Sequence, residues 1–203
     1  MKREQQRKLR ELNKALPKML AEKIKPYKFK KRDERVWFVS GDMFFTCTFF
    51  VQPTIDDRCC CSMDIEIKPL WIDDLLWDCL HMESNKKERL SLRATGAFTV
   101  SGVTVYEAYD YLEEWTAEEL ETYVDTYLEK FSQILRTATI EDFYKNISSS
   151  PYHDELRVSL TLVHDEKYEE CLNYLKDKDK GRFCNQGLWI HDGIREYCRQ
   201  ALL

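Results

Sequence analysis

Apolar positions in the first twenty-five residues recur at steps of three and four. Leu9, Leu12, Leu16, Met19 and Leu20 share one stripe, surrounded by Lys, Arg, Glu and Gln. That period predicts an amphipathic helix over Lys2–Lys25. Pro17 interrupts it and predicts a kink or the start of a second segment; Pro26 ends it. A different period follows. Glu34–Val39 reads as a short strand, Ser40-Gly41-Asp42 as a hairpin turn, and Met43–Gln52 as a longer strand. Met43, Phe45, Cys47, Phe49 and Val51 share one face of that strand, and Phe44, Thr46, Thr48 and Phe50 the other. Bulk on both faces predicts a central strand with material packed on each side. Cys59–Lys68 alternates cleanly. Cys59, Cys61, Met63, Ile65 and Ile67 point inward, while Ser62, Asp64, Glu66 and Lys68 point out. Such neighbours build an antiparallel meander with one solvated face.

Pro69 suits the first turn of a helix over Trp71–Met82, with Asp73, Asp74 and Asp78 on its polar side. Glu83–Arg89 is a polar loop. Leu90–Ala94 and Ala97–Val100 read as strands around Gly96. Val103–Leu112 fits a strand or a helix equally. From Thr116 the pattern turns helical. Thr116 and Glu119 have capping-box spacing, in which hydroxyl and carboxylate each satisfy a free backbone N–H. Leu120, Tyr123, Val124, Tyr127, Leu128, Phe131, Ile134 and Leu135 form one apolar face. Thr139 starts a short helix through Tyr144, and Ser150-Pro151 starts another. Leu156–Val163 fits a strand, with Leu156, Val158, Leu160 and Leu162 alternating, or a helix; helix is favoured, because Lys167–Lys176 is helical and a helical hairpin turning at His164-Asp165 would join the two. Lys176–Lys180 is a solvated charged run, and Gly187–Leu203 closes the chain as a helix.

This order gives an α+β fold: an antiparallel β-meander packed with an N-terminal amphipathic helix, then a helical C-terminal part. The division falls at 1–115 and 116–203, packed as one unit. Ten Phe, eleven Tyr and five Trp in 203 residues argue for a folded core. The basic start is not followed by an apolar run of signal length, and no stretch approaches the roughly 20 apolar residues of a membrane span. A cytoplasmic protein without membrane contact is expected, with its eight cysteines reduced.

Charge divides the chain. The first thirty-five residues hold fourteen Lys or Arg against five Asp or Glu, and the remainder carries a net charge of −14. A basic arm docked on an acidic body, or on an acidic partner, is implied.

Cys59, Cys60 and Cys61 are consecutive, so alternate side chains diverge and cannot chelate together. Cys79 with His81, or Cys184 with His191, lacks metal-ligand spacing. No metal or other cofactor is expected. A nucleophilic cysteine would need a partner among His81, His153, His164 and His191, which sequence cannot bring to a thiol. Asp56-Asp57, Asp73-Asp74 and Glu113-Glu114 read as solvated surface. No phosphate-cradling glycine loop and no G-x-S-x-G occurs, which weakens nucleotide-binding and hydrolase readings. Trp71, Asp73, Asp74, Trp77 and Asp78 offer an acidic patch with aromatic anchors for a protein partner. Lys28, Lys30, Lys31 and Arg32, with Tyr27 and Phe29, offer a basic patch for phosphates and bases.

Pro26-Tyr-Lys-Phe-Lys-Lys-Arg32, the strand Val36-Trp-Phe-Val39 and a second strand ending Phe-Phe-Val-Gln52 resemble a group of small uncharacterised bacterial proteins, a domain of unknown function. The likeness covers about the first seventy residues. Some of those proteins lie near toxin–immunity loci, so the resemblance implies an immunity-like inhibitor and carries over no catalytic residue. The leading expectation is a non-enzymatic protein-binding module whose acidic surface meets a basic partner. The alternatives are an enzyme built from scattered Cys, His and Asp side chains, and a nucleic-acid binder using the basic N-terminal segment; nucleic acid is disfavoured by the acidic remainder.

Overall fold

The leucine stripe becomes helix α1 (Arg3–Lys23), with Leu12, Leu16 and Leu20 buried. The structure, a computed structural model, describes residues 2–148 and 154–203, and of Asp154 only the backbone. In chain order there follow β1 (Lys30–Arg32), β2 (Arg35–Ser40), β3 (Met43–Pro53), β4 (Cys59–Pro69), α2 (Leu70–Cys79), α3 (Leu92–Thr95), β5 (Val103–Leu112), α4 (Ala117–Thr137), α5 (Ile140–Asn146), α6 (Asp154–His164), α7 (Tyr168–Leu175), β6 (Cys184–Asn185), β7 (Leu188–Trp189) and α8 (Ile190–Ala201). The class is α+β, and β1 to β5 form one antiparallel sheet in sequence order. The chain forms two units: residues 1–67 with 104–142, and residues 68–103 with 143–203. The expected boundary at 115/116 is therefore displaced. Helix α4 belongs with the sheet, and α2 belongs with the later helices. The expected helix start at Ser150-Pro151 lies outside the described residues.

In the first unit, α1 runs unbroken through Pro17, so no second segment begins there. A helix-interior proline costs about 3 kcal/mol. Burying Leu16 and Leu20 on either side of it recovers about 2 kcal/mol each. Strands β2 and β3 pair with Val36 opposite Cys47 and Ser40 opposite Met43. Gly41 supplies the positive φ (+55°) that the tight turn needs. One sheet face carries Phe45, Cys47, Phe49, Cys61, Met63, Ile65 and Ile67, all buried. Helices α1 and α4 lie over it. Asn13 Nδ2 donates to the Val51 carbonyl at 3.2 Å, and Tyr127 Oη donates to the Cys61 carbonyl at 3.1 Å. Phe29 packs edge-on against Phe131 with centroids 5.0 Å apart.

The Thr116 hydroxyl caps α4, accepting the Glu119 N–H at 3.2 Å. The carboxylate half of the expected box goes elsewhere. Glu119 accepts from the N–H groups of Glu113, Glu114 and Trp115, upstream of Thr116. The ambiguous segment Val103–Leu112 is strand β5 at one sheet edge; the three-residue basic β1 forms the other. A short, charged edge such as β1 resists pairing with further strands. The opposite sheet face is less solvated than alternation implies, since Cys60 and Ser62 are buried.

In the second unit, the expected outward Lys68 is buried instead. Its Nζ lies 2.8 Å from Asp73 Oδ2 and donates to the Arg93 and Val100 carbonyls at 3.0 and 2.7 Å. Asp73 Oδ1 accepts the Val100 N–H at 2.8 Å, and Trp77 Nε1 donates to the Phe98 carbonyl at 2.7 Å. These bonds explain why Leu90–Ala94 and Ala97–Val100 are not strands. Buried side chains satisfy several backbone groups that a ladder would otherwise pair. Residues 92–95 instead form the single turn α3. Helices α6 and α7 form the expected hairpin, and α2 packs on α6 and α8. Gly193 permits the last contact, because a Cβ there would stand 2.0 Å from the Cys79 carbonyl oxygen. The closing helix begins at Ile190 rather than Gly187. Gln186 and Gly187, both with positive φ, instead turn a two-residue hairpin between β6 and β7.

Candidate functional site

The five residues expected as an acidic, aromatic surface on α2 do not share one surface. Asp73 is fully buried, and Trp77 is core. Each carboxylate has a cation: Asp73 has Lys68, Asp74 has Arg93 Nη2 at 2.6 Å, and Asp78 has Lys86. The Arg93 guanidinium also lies 4.7 Å from the Trp77 ring centroid. Trp71 is partly exposed, stacked on the His164 imidazole with centroids 3.9 Å apart. The group holds α2 to the residues around Arg93.

Lys28, Lys30 and Arg32 are exposed, and Lys31 is half-buried with its Nζ donating to the Asp33 carbonyl. Phe29 is core, so its ring is withdrawn from any base-stacking role. The basic helix docks mainly through its leucines. Lys23 pairs with Glu121 and Asp125 on α4 at 2.6 and 2.7 Å, and Lys8 donates to the Glu114 carbonyl. Arg3, Arg7, Arg10, Lys14 and Lys18 are exposed along the outer side of α1.

Seven of the eight cysteines are buried and Cys184 is half-buried; all are free thiols. Burial, followed by the neighbouring Cys60, pushes Cys59 and Cys61 up to about 12. Burial also pushes Cys47 and Cys79 well up. Such thiols are protonated at neutral pH and poor nucleophiles. The neighbouring Cys171 side chain lowers the Cys198 pKa, but Cys198 is fully buried. Cys79 and His81 line a cavity of about 330 Å³ with Asp78, Glu83 and Tyr197.

The first unit does present a mixed acidic and aromatic surface, on the sheet face away from α1 and α4. Alternation from the buried positions puts Phe50 of β3, Asp64 and Glu66 of β4, and Glu107, Tyr109 and Tyr111 of β5 on that face. Phe50 is 40% exposed and Tyr109 48%. Tyr109 and Tyr111 meet edge to face at 5.2 Å, and the Arg58 guanidinium covers Tyr111 at 3.7 Å. Burial raises the Asp64 pKa, and the neighbouring Glu107 carboxylate raises it further. Sequence alternation identified Asp64 and Glu66 as outward. Glu107, Tyr109 and Tyr111 were hidden because their segment suited two periods. Reading Val103 and Val105 as strand after Ser101-Gly102 would have found them.

No family model matches this chain, and neither a curated protein nor a solved structure does. Among the described residues, no helix is long and apolar enough to cross a membrane.

Proposed function

We propose that this protein is a non-enzymatic binding module, and that the sheet face bearing Asp64, Glu107, Phe50 and Tyr109 receives a protein partner with a basic surface. One observation carries the reading. Asp64 and Glu107 stand close enough to raise the Asp64 pKa, on a half-buried face flanked by exposed aromatic rings. Two like charges on one face favour an incoming Lys or Arg. The rings supply the apolar anchors that dominate binding energy. The net charge of −14 after residue 35 favours fast association with a basic partner. An immunity-like inhibitor of a basic enzyme is one form such a module takes.

Affinity capture of partners at low and high salt, with the native chain and an Asp64→Lys/Glu107→Lys variant, tests this. The expected outcome is a basic protein retained at low salt and lost both at high salt and on the variant. A partner held equally by both chains, or unaffected by salt, would place binding elsewhere.

A further inference from the structure

His191 occupies the second position of α8 and is only 2% exposed. A buried imidazole needs its polar atoms accounted for. Nδ1 lies 2.8 Å from the Asp179 carbonyl oxygen. A carbonyl only accepts, so Nδ1 carries the proton and Nε2 is the basic nitrogen. The backbone N–H of His191 bonds the Lys180 carbonyl at 3.2 Å. Gly181 lets this loop wrap the ring. Its φ is +73°, and a Cβ would stand 2.6 Å from Ile190 and 3.1 Å from the imidazole Nε2. Among the described residues Nε2 has no hydrogen-bond partner. The ring lines a cavity of about 300 Å³ with Glu155, Leu156, Asp179 and Arg182.

Two carboxylates join it. One donor atom each from Glu155, Asp179 and His191 lie within 4.8 Å of one another. Lys178 Nζ holds Glu155 Oε1 at 2.6 Å, and the Gly181 N–H holds Asp179 Oδ1 at 2.6 Å. The ring approaches the Asp179 carboxylate through Nδ1, 3.7 Å from Oδ1, while Nε2 and the second oxygen of each carboxylate remain available. Outer bonds of this kind orient metal ligands and fix the imidazole tautomer.

We propose that His191, Glu155 and Asp179 form a binding site for a divalent transition-metal cation of the zinc class. An imidazole with two carboxylates suits zinc better than magnesium or calcium, which take oxygen donors. Zinc bonds of about 2.1 Å in a tetrahedron place donors about 3.4 Å apart. The set closes by rotation of Asp179, whose side chain is 85% exposed, and of Glu155, while the buried imidazole stays fixed. Three protein ligands leave a fourth position for water. The Lys178 ammonium bonded to Glu155 opposes the incoming cation, which limits affinity. The Arg182 guanidinium, which lines the same cavity, also opposes the cation.

Equilibrium dialysis of the full chain against zinc, under reducing conditions, should retain one equivalent. Cobalt(II) in its place should give visible d–d absorption without the intense near-ultraviolet band of thiolate ligation. Glu155→Gln and Asp179→Asn alter accessible groups with little change of shape, so circular dichroism and apo melting temperature should hold. Each should weaken zinc binding at least tenfold. Absence of stoichiometric zinc, a thiolate band, or unchanged affinity in both variants would overturn the site.

Discussion

In the first unit the buried polar side chains among the described residues are Thr46 and Ser62, both neutral and both on strands. In the second they include Lys68, Asp73, Arg93, Arg157 and His191. The first unit closes over an apolar seam. Leucines of α1 and aromatics of α4 cover one sheet face, and its charges stay at the surface. The second unit routes backbone groups through charged side chains. Lys68 reaches two carbonyls, Arg157 Nη1 donates to the Gly102 carbonyl at 2.7 Å, and Arg195 Nη2 donates to those of Leu175 and Lys178. Apolar burial is forgiving, because any residue of about the right size fits. A buried ion pair is not, because losing one partner strands the other charge in low dielectric.

The largest expected effect follows from that contrast. Asp73→Ala removes the carboxylate 2.8 Å from the buried Lys68 ammonium and frees the Val100 N–H. A loss of about 3–5 kcal/mol is expected. Lys68→Met combined with Asp73→Leu removes both charges and should cost markedly less. Urea denaturation of both variants measures the difference. Equal losses would mean that the pair acts only by filling space, and the contrast between the units would fail.

A smaller effect is expected at the α4 cap of the first unit. Thr116→Ala removes the hydroxyl that accepts the Glu119 N–H and should cost about 1 kcal/mol by the same denaturation. A loss as large as that at Asp73 would mean that the loop over residues 113–116 is as critical as the buried pair.

The same contrast explains what could be read from the chain. Period alone located α1, β3, β4 and α4, because each of those elements turns one apolar face to the core. The second unit was legible where apolar spacing ruled, as in the α6–α7 hairpin. It was illegible at residues 90–100, whose backbone partners include the side chains of Lys68, Asp73 and Trp77, at least 21 residues away in the chain. No local window contains such partners. The α2 patch failed for the same reason. Asp73, Asp74 and Asp78 looked solvated because their cations could not be assigned from sequence. The His191 cluster was hidden too, since Glu155, Asp179 and His191 meet only once α6, α8 and the loop between Leu175 and Cys184 are placed.

The smallest expected effect links the first unit's stability to its proposed surface. Burial first, and Glu107 second, raise the Asp64 pKa above its ordinary 3.8. The folded state therefore binds this proton more tightly than the unfolded chain does. The resulting penalty on folding is absent below the ordinary carboxyl range, grows as pH rises through the raised value, and is complete at neutral pH. Asp64→Asn should accordingly raise the urea midpoint at pH 7 by less than Thr116→Ala lowers it. The gain should vanish near pH 3, and Glu107→Gln should reproduce part of it. An equal shift at both pH values would mean that packing rather than charge is responsible, and the like-charge pair would lose its significance. A pH-dependent gain would show that the sheet face keeps a carboxylate at a cost to its own stability, as residues selected for binding rather than folding do.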